Sequence, residues 1–96
     1  MNSNLKKNYV QGGIANTSSL NGYFRSVHIT FPTRYKATPN VVATVMNYQN
    51  SVIDARLCTL VKNMSTTGAD IYVADQSGEI GGMGYQVQWI AVGEID

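Results

Sequence analysis

Six short stretches of this chain have the composition of β-strands, several of them with alternating apolar and polar residues, and turn signals separate each stretch from the next. In Tyr23–Phe31, for example, Val27, Ile29 and Phe31 share one face of an extended strand. No stretch has helical periodicity of useful length, so we predict an all-β fold: a six-stranded antiparallel β-sandwich. The predicted strands are Tyr9–Ile14, Tyr23–Phe31, Asn40–Met46, Asp54–Lys62, Ala69–Ala74 and Tyr85–Gly93.

Glycine and proline set the predicted boundaries. Residues 1–22 are predicted to be an N-terminal linker with one short strand, interrupted at Gly12-Gly13, and a loop at Asn16–Gly22; residues 23–96 are the sandwich. Pro32 and Pro39 limit the strands beside them, because proline cannot donate to a strand ladder.

Two further segments are predicted to be turns or loops. Asn63–Gly68 is a turn in which Gly68 is free to take a positive φ. Asp75–Gly84 is rich in glycine and is predicted to be a mobile loop able to bend over a site.

The composition argues against several classes of partner. Charged residues make up 14% of the 96 residues and the net charge is +1, so no strong field favours nucleic acid. No apolar run reaches membrane-spanning length and no secretory signal is present, so no membrane insertion is expected. A lone cysteine, Cys58, cannot form an intrachain disulfide. It is expected to be a small buried hydrophobe, with a reactive thiol as the alternative.

The sequence contains no recognisable catalytic or metal motif. His28 is the only histidine and lacks a partner for metal binding or a nucleophile relay, so we expect it at a sheet surface or an interface between copies. Asp70, Asp75 and Glu79 could in principle supply a glycosidase pair, but their spacing selects no reaction, and solvated rim charges are the simpler interpretation. We therefore predict neither enzymatic activity nor a cofactor.

Several short motifs follow one another in a distinctive order. They are Val27-His28-Ile29-Thr30-Phe31, Tyr35, Pro39-Asn40-Val41-Val42, Arg56, Thr67-Gly68 and Trp89-Ile90-Ala91-Val92. Together they resemble the H-type lectin domain over residues 27–93. Similar domains occur at the carboxy-terminal ends of bacteriophage tail fibres and receptor-binding proteins, and the lead-in to Gly22-Tyr23-Phe24 is more like those phage tips than like the animal lectins.

The resemblance implies a trimer that binds sugars in clefts between protomers. Arg56 stands at the spacing of the family's binding arginine, and a guanidinium fork can meet two sugar oxygens at once. The alternative is a structural Arg56 that pairs with a carboxylate, such as Asp54 or Asp75.

The family's Trp-His pair falls here at about Gln76-Ser77, which supplies no aromatic platform. Asp75 and Gln76 could still hydrogen-bond hydroxyls, and Tyr48, Tyr72 and Tyr85 are the aromatic candidates.

The sequence thus predicts a carbohydrate-binding, receptor-binding module: a homotrimeric tip domain of a phage tail protein that recognises a saccharide of a bacterial cell surface. Its location would be the virion, after synthesis in the bacterial cytoplasm. Apolar residues on both faces of Asn40–Met46 also favour a partner surface. The alternative is a structural trimerisation or capping domain of a fibre with no ligand of its own; a third interpretation is a small polysaccharide-degrading enzyme.

Overall fold

The chain folds into two antiparallel β-sheets packed face to face. The computed structural model describes residues 8–17, 19–21, 24–46, 57–75 and 85–95. One sheet has three strands in the order β1-β7-β4, and the other has four in the order β2-β3-β6-β5. The strands are β1 (Asn8–Asn16), β2 (Ser19–Asn21), β3 (Phe24–Thr30), β4 (Asn40–Val45), β5 (Leu57–Lys62), β6 (Gly68–Asp75) and β7 (Gln86–Glu94).

The predicted antiparallel β-sandwich is confirmed. The six predicted strands correspond to β1 and to β3 through β7, and β3 and β4 stop and start beside Pro32 and Pro39 as expected. The structure adds β2, a three-residue strand within the predicted loop Asn16–Gly22. That part of the loop prediction is wrong, because Ser19–Asn21 pairs with Phe24–Ser26 in a hairpin.

The expected interruption of the first strand at Gly12-Gly13 is also wrong. All nine residues of β1 pair with β7 in one continuous register. A Cβ at Gly12 would lie 2.6 Å from the carbonyl oxygen of Trp89, and one at Gly13 would lie 3.2 Å from the indole Nε1 of Trp89. The two glycines therefore let β1 approach β7 and the indole closely, without breaking the strand.

The core lies between the sheets and is built from the predicted inward positions. The Phe31 ring contacts Tyr35 edge-on, with centroids 5.3 Å apart, and lies 5.6 Å from Trp89. Ile29 and Phe31 are buried, as the alternation of β3 predicts. The buried hydrophobic residues are Ile29, Phe31, Tyr35, Ala69, Ile71, Val73, Val87, Trp89 and Ala91.

The segment 31–39 connects the two sheets through Tyr35. The backbone N–H of Tyr35 donates to the carbonyl oxygen of Thr66, 2.9 Å away. Thr66 lies in the turn that leads into β6. The Tyr35 hydroxyl lies 3.0 Å from the carbonyl oxygens of both Tyr9 and Ala91, on neighbouring strands of the other sheet. On the opposite side of the sandwich, the hydroxyl of Thr59 donates to the carbonyl of Ala43 at 2.8 Å and joins β5 to β4.

Candidate functional site

The outer face of the four-stranded sheet brings together side chains from three strands. The register places Ala74 of β6 beside Phe24 and Cys58, and the next outward residue, Tyr72, beside Ser26 and Leu60. Because outward positions recur every second residue, Asp70 comes next, between His28 and Lys62. The result is a surface with an aromatic end and a charged end.

Phe24 and Tyr72 form the aromatic end. Their ring centroids are 5.3 Å apart at an interplanar angle of 78°, an edge-to-face contact that holds both rings. The ammonium of Lys62 lies 5.8 Å from the Tyr72 centroid, within cation–π range. These side chains line a shallow open groove of about 340 Å³. We call it the aromatic groove; its lining residues are Phe24, Cys58, Thr59, Leu60, Lys62, Tyr72 and Ala74.

A hydrogen-bonded cluster of three polar side chains lies on the same face as the groove. His28 Nδ1–H donates to Asp70 Oδ1 at 2.7 Å, and the Asn63 amide donates to Asp70 Oδ2 at 2.8 Å. The hydrogen bond from Asn63, and to a lesser extent the one from His28, holds the pKa of the Asp70 carboxyl below its ordinary value. Asp70 is therefore an oriented carboxylate near neutral pH. We call His28, Asn63 and Asp70 the polar cluster.

The turn between β5 and β6 positions this cluster. Asn63 has a positive φ of 54°, which turns the chain at the end of β5. The hydroxyl of Ser65 then accepts from the backbone N–H groups of Thr67 and Gly68, both at 3.2 Å. Gly68 has no positive φ, contrary to our expectation; it is required because a Cβ there would collide with the carbonyl oxygen of Ile29.

The structure describes three of the predicted site candidates and does not bring them together: Tyr85 packs against the core. Tyr72 lies in the aromatic groove, whereas Asp75 lies on the inner face of β6 and is only 9% exposed. Arg56, Tyr48 and Gln76 lie outside the described residues, so their roles stay predictions.

The expected burial of Cys58 is wrong. Cys58 is exposed on the outer face of β5, because it shares the period of Leu60 and Lys62, and its thiol lies 3.6 Å from the carbonyl oxygen of Ala74. The surface position expected for His28 is confirmed.

The carboxylates considered as a glycosidase pair are also separated. Asp70 points outward from β6 and Asp75 inward, so they do not face one substrate, and Glu79 lies outside the described residues. Within the described ranges no three of His, Cys, Asp and Glu are grouped so as to hold a metal ion, and no helix is long and apolar enough to cross a membrane.

Sequence reasoning did not find Phe24, Asn63 or Lys62 as site residues. Alternation puts Lys62 on the same face of its strand as Cys58 and Leu60, but it does not say which face is outward or which strand lies beside which. The cluster appears only once β6 is known to lie between β3 and β5.

Comparison with known proteins shows likeness at the level of structure. No family model matches the chain, so membership of the H-type lectin family stays a prediction, and no curated protein sequence matches either. The gp61 tailspike of Pseudomonas phage phi297 superposes with a TM-score of 0.71 at 20% identity, over 88% of this chain and 15% of that one. The shared feature is the fold.

Two other solved structures give the same result. The Gp54 tailspike of Acinetobacter baumannii bacteriophage AP22, in complex with A. baumannii capsular saccharide, has a TM-score of 0.71 at 14% identity, over 98% of this chain and 18% of that chain. An N-truncated R1-type pyocin tail fibre has a TM-score of 0.64 at 22% identity, over 88% of this chain and 69% of that one. This chain therefore corresponds to one small part of each tailspike.

Proposed function

We propose that this chain is a receptor-binding module of a phage tail or tail-like fibre, and that its aromatic groove binds a saccharide of a bacterial cell surface. The observation that carries this proposal is the pairing of the aromatic groove with the polar cluster on one sheet face. A sugar ring has an apolar C–H face and a rim of hydroxyls, so it needs both kinds of surface at once.

The aromatic end suits the apolar face of a sugar. The Tyr72 ring is held by Phe24 on one side and accompanied by Lys62 on the other. A ring fixed in advance loses little conformational freedom when a ligand stacks on it.

The polar cluster suits the hydroxyl rim. An ionised carboxylate offers about four lone-pair positions, and Asn63 and His28 use one on each oxygen of Asp70. The remaining positions can accept from sugar hydroxyls, while Lys62 can donate to them. Hydroxyls both donate and accept, and this face offers partners for both.

The comparisons support the proposal through the kind of protein that shares the fold. The matched structures described above are phage tailspikes and a pyocin tail fibre, and one of them was solved with a capsular saccharide. On this proposal the module acts on the virion as a homotrimer, after synthesis in the bacterial cytoplasm, and binds without covalent chemistry. The H-type-lectin resemblance supplies a second position for the sugar, the cleft predicted around Arg56, Tyr48, Asp75 and Gln76.

The test is binding of the labelled chain to an array of purified bacterial capsular polysaccharides and lipopolysaccharide O-chains. We expect Tyr72→Ala and Asp70→Ala each to weaken binding to any polysaccharide hit by about tenfold or more, since each removes one half of the groove's chemistry. Thr38→Ala, which truncates an exposed side chain in the segment 31–39 outside both outer sheet faces, is the control and should bind as the wild type does.

An Arg56→Ala variant distinguishes the two positions. Loss of binding in Arg56→Ala with full binding in Tyr72→Ala would move the sugar to the predicted cleft and overturn the groove. A wild-type chain that binds no polysaccharide on the array would favour the structural capping domain. Shortening of a bound polysaccharide would instead support the enzymatic interpretation.

A further inference from the structure

The outer face of the three-stranded sheet is aliphatic at its centre and exposed. Val42 is 65% exposed, Val10 61%, Ile14 60% and Ile90 49%. With the half-buried Val92, these four residues form what we call the apolar face. Side chains of this type on a β-sheet are ordinarily covered by something, because exposing them to water costs free energy.

The strand register makes these side chains contiguous. Gly12, Ile90 and Val42 occupy one row across the three strands, and Val10 and Val92 occupy the adjacent row. Gly12 has no side chain to shield Ile90. On the other side of Ile90, toward β4, there is a shallow hollow of about 120 Å³, lined by Val42, Ala43, Thr44, Gln88 and Ile90.

The rim of the apolar face is uncharged except at Glu94, which lies outward on β7 opposite Asn8. The three strands carry one charged residue, Glu94 at the end of β7, and its carboxylate lies 3.7 Å from the ammonium of Lys36. The outward polar residues around the patch are amides and one hydroxyl: Asn8, Asn16, Asn40, Thr44, Gln86 and Gln88. Each of these groups can both donate and accept a hydrogen bond.

We propose that the apolar face is an interface between copies of this chain. Where the same patch of every copy meets at a symmetry axis, a charged rim would place like charges near one another. Amides and hydroxyls have no such conflict, since they can pair with their own kind. A different protein partner would find no charge pattern here to select it.

The size of the face is compatible with this occupant. At the exposures above, the four most exposed side chains present on the order of 400 Å² of surface, and the polar rim adds a comparable area. A specific interface buries roughly 800 Å² on each partner. The face is thus of the right order for one stable contact between copies.

This inference rests on the homotrimer of the proposed function but not on its saccharide site, because the apolar face and the aromatic groove lie on opposite sides of the sandwich. The polysaccharide array tests the site separately. The experiment is light scattering of the wild-type chain over concentrations from about 1 to about 100 µM, with Val42→Lys and a matched control, Leu60→Lys. Leu60 is 57% exposed on the other sheet, so both variants place a lysine at an equally accessible strand position.

We expect the wild type and Leu60→Lys to have the mass of a small whole number of chains, with three predicted from the resemblance, and Val42→Lys to be a monomer. Near-UV circular dichroism of the buried Trp89 reports whether each variant is folded. If Val42→Lys fails to fold, Val10→Gln on β1 takes its place, with dissociation at least tenfold easier than in the wild type.

Two results would overturn the proposal. One is a wild-type chain that stays monomeric at about 100 µM. The other is a folded Val42→Lys variant that keeps the wild-type mass, especially if Leu60→Lys dissociates instead and places the contact on the aromatic groove.

Discussion

The two outer faces of this sandwich have the same strand geometry and very different chemistry. On the three-stranded sheet the outward residues are aliphatic at the centre and amides at the rim, with a single charge at one end. On the four-stranded sheet the outward residues include two aromatic rings, a lysine and a carboxylate that is hydrogen-bonded to a histidine. Alternation decides which residues face out, and the types of those residues then decide what each face can hold.

The inner faces are more alike, although the four-stranded sheet also buries Arg25 and Asp75. Both sheets contribute small and β-branched residues to one continuous core, with Phe31 packed against Trp89 across the interior. The sandwich therefore needs both sheets for stability, while the two outer faces remain free to serve separate roles. Predictions about the two sheets can test that division.

Gly68→Ala should have the largest effect on stability. An alanine Cβ at this position would collide with the carbonyl oxygen of Ile29, and we expect a loss of about 3 kcal/mol in the free energy of unfolding, measured with urea. Gly12→Ala is the matched change in the other sheet. Its Cβ would lie 2.6 Å from the Trp89 carbonyl oxygen, but β1 is an edge strand and can shift, so we expect about 2 kcal/mol. The reverse order would mean that the four-stranded sheet is the more adaptable one.

Tyr35→Phe should have a smaller effect, because it removes a hydroxyl and leaves the ring. The hydroxyl serves the carbonyls of Tyr9 and Ala91 in the three-stranded sheet, and its loss should cost about 1–2 kcal/mol in thermal or urea unfolding. Tyr9→Phe is the control and should stay within about 0.5 kcal/mol of the wild type. Equal effects of the two changes would show that the link through Tyr35 contributes little.

Acid sensitivity should belong to the four-stranded sheet. The pKa of Asp70 is lower in the folded chain than in the unfolded one, so its stabilising contribution is present above about pH 4 and is lost as the pH falls through the folded pKa. We expect Asp70→Asn to flatten the fall in melting temperature below that pH. Val42→Thr on the apolar face should leave it unchanged, and a wild-type slope in Asp70→Asn would contradict this assignment.

Asn63→Gly refines that prediction, since the positive φ of Asn63 suits glycine while its amide is lost. The Asp70 pKa, followed by NMR of the side-chain carboxyl, should then rise toward its ordinary value.

Lys62→Met should have the smallest effect. It removes the ammonium near the Tyr72 ring, a contact of about 0.5 kcal/mol at an exposed site, and keeps an unbranched side chain only one atom shorter. The melting temperature should change little, while binding to a polysaccharide hit on the array should weaken. An unchanged polysaccharide affinity would show that Lys62 does not contribute to binding in the groove. The aromatic rings would then be the groove's contribution to that affinity.

The fold was predictable from sequence because alternation is local. Val27, Ile29 and Phe31 had to share a face, and proline had to bound the strands on either side of the segment 31–39. The same rule put Cys58 on one face of its strand with Leu60 and Lys62, and the structure shows that this face is the outer one. The expected burial of Cys58 rested on the general tendency of cysteine to be buried.

The site was less predictable because it depends on strand neighbours. His28 and Asp70 are 42 positions apart, and only the pairing of β3 with β6 brings them together. The turn shows a subtler limit. A glycine at its end suggested a positive φ, but the structure gives that conformation to Asn63 and uses Gly68 for a close approach between strands. Composition identifies the turn, but tertiary contacts decide which of its residues takes a positive φ and which must be a glycine.

The central place of β7 in the three-stranded sheet has a consequence for protein synthesis. β1 and β4 do not pair with each other, and each of them pairs with β7. The ribosome synthesises β7 after all the other described strands. The four-stranded sheet can begin to form while translation is under way, but the three-stranded sheet must wait for the last of the seven strands. If the apolar face joins copies as proposed, a chain cut short before β7 would lack that face and would not assemble with complete copies.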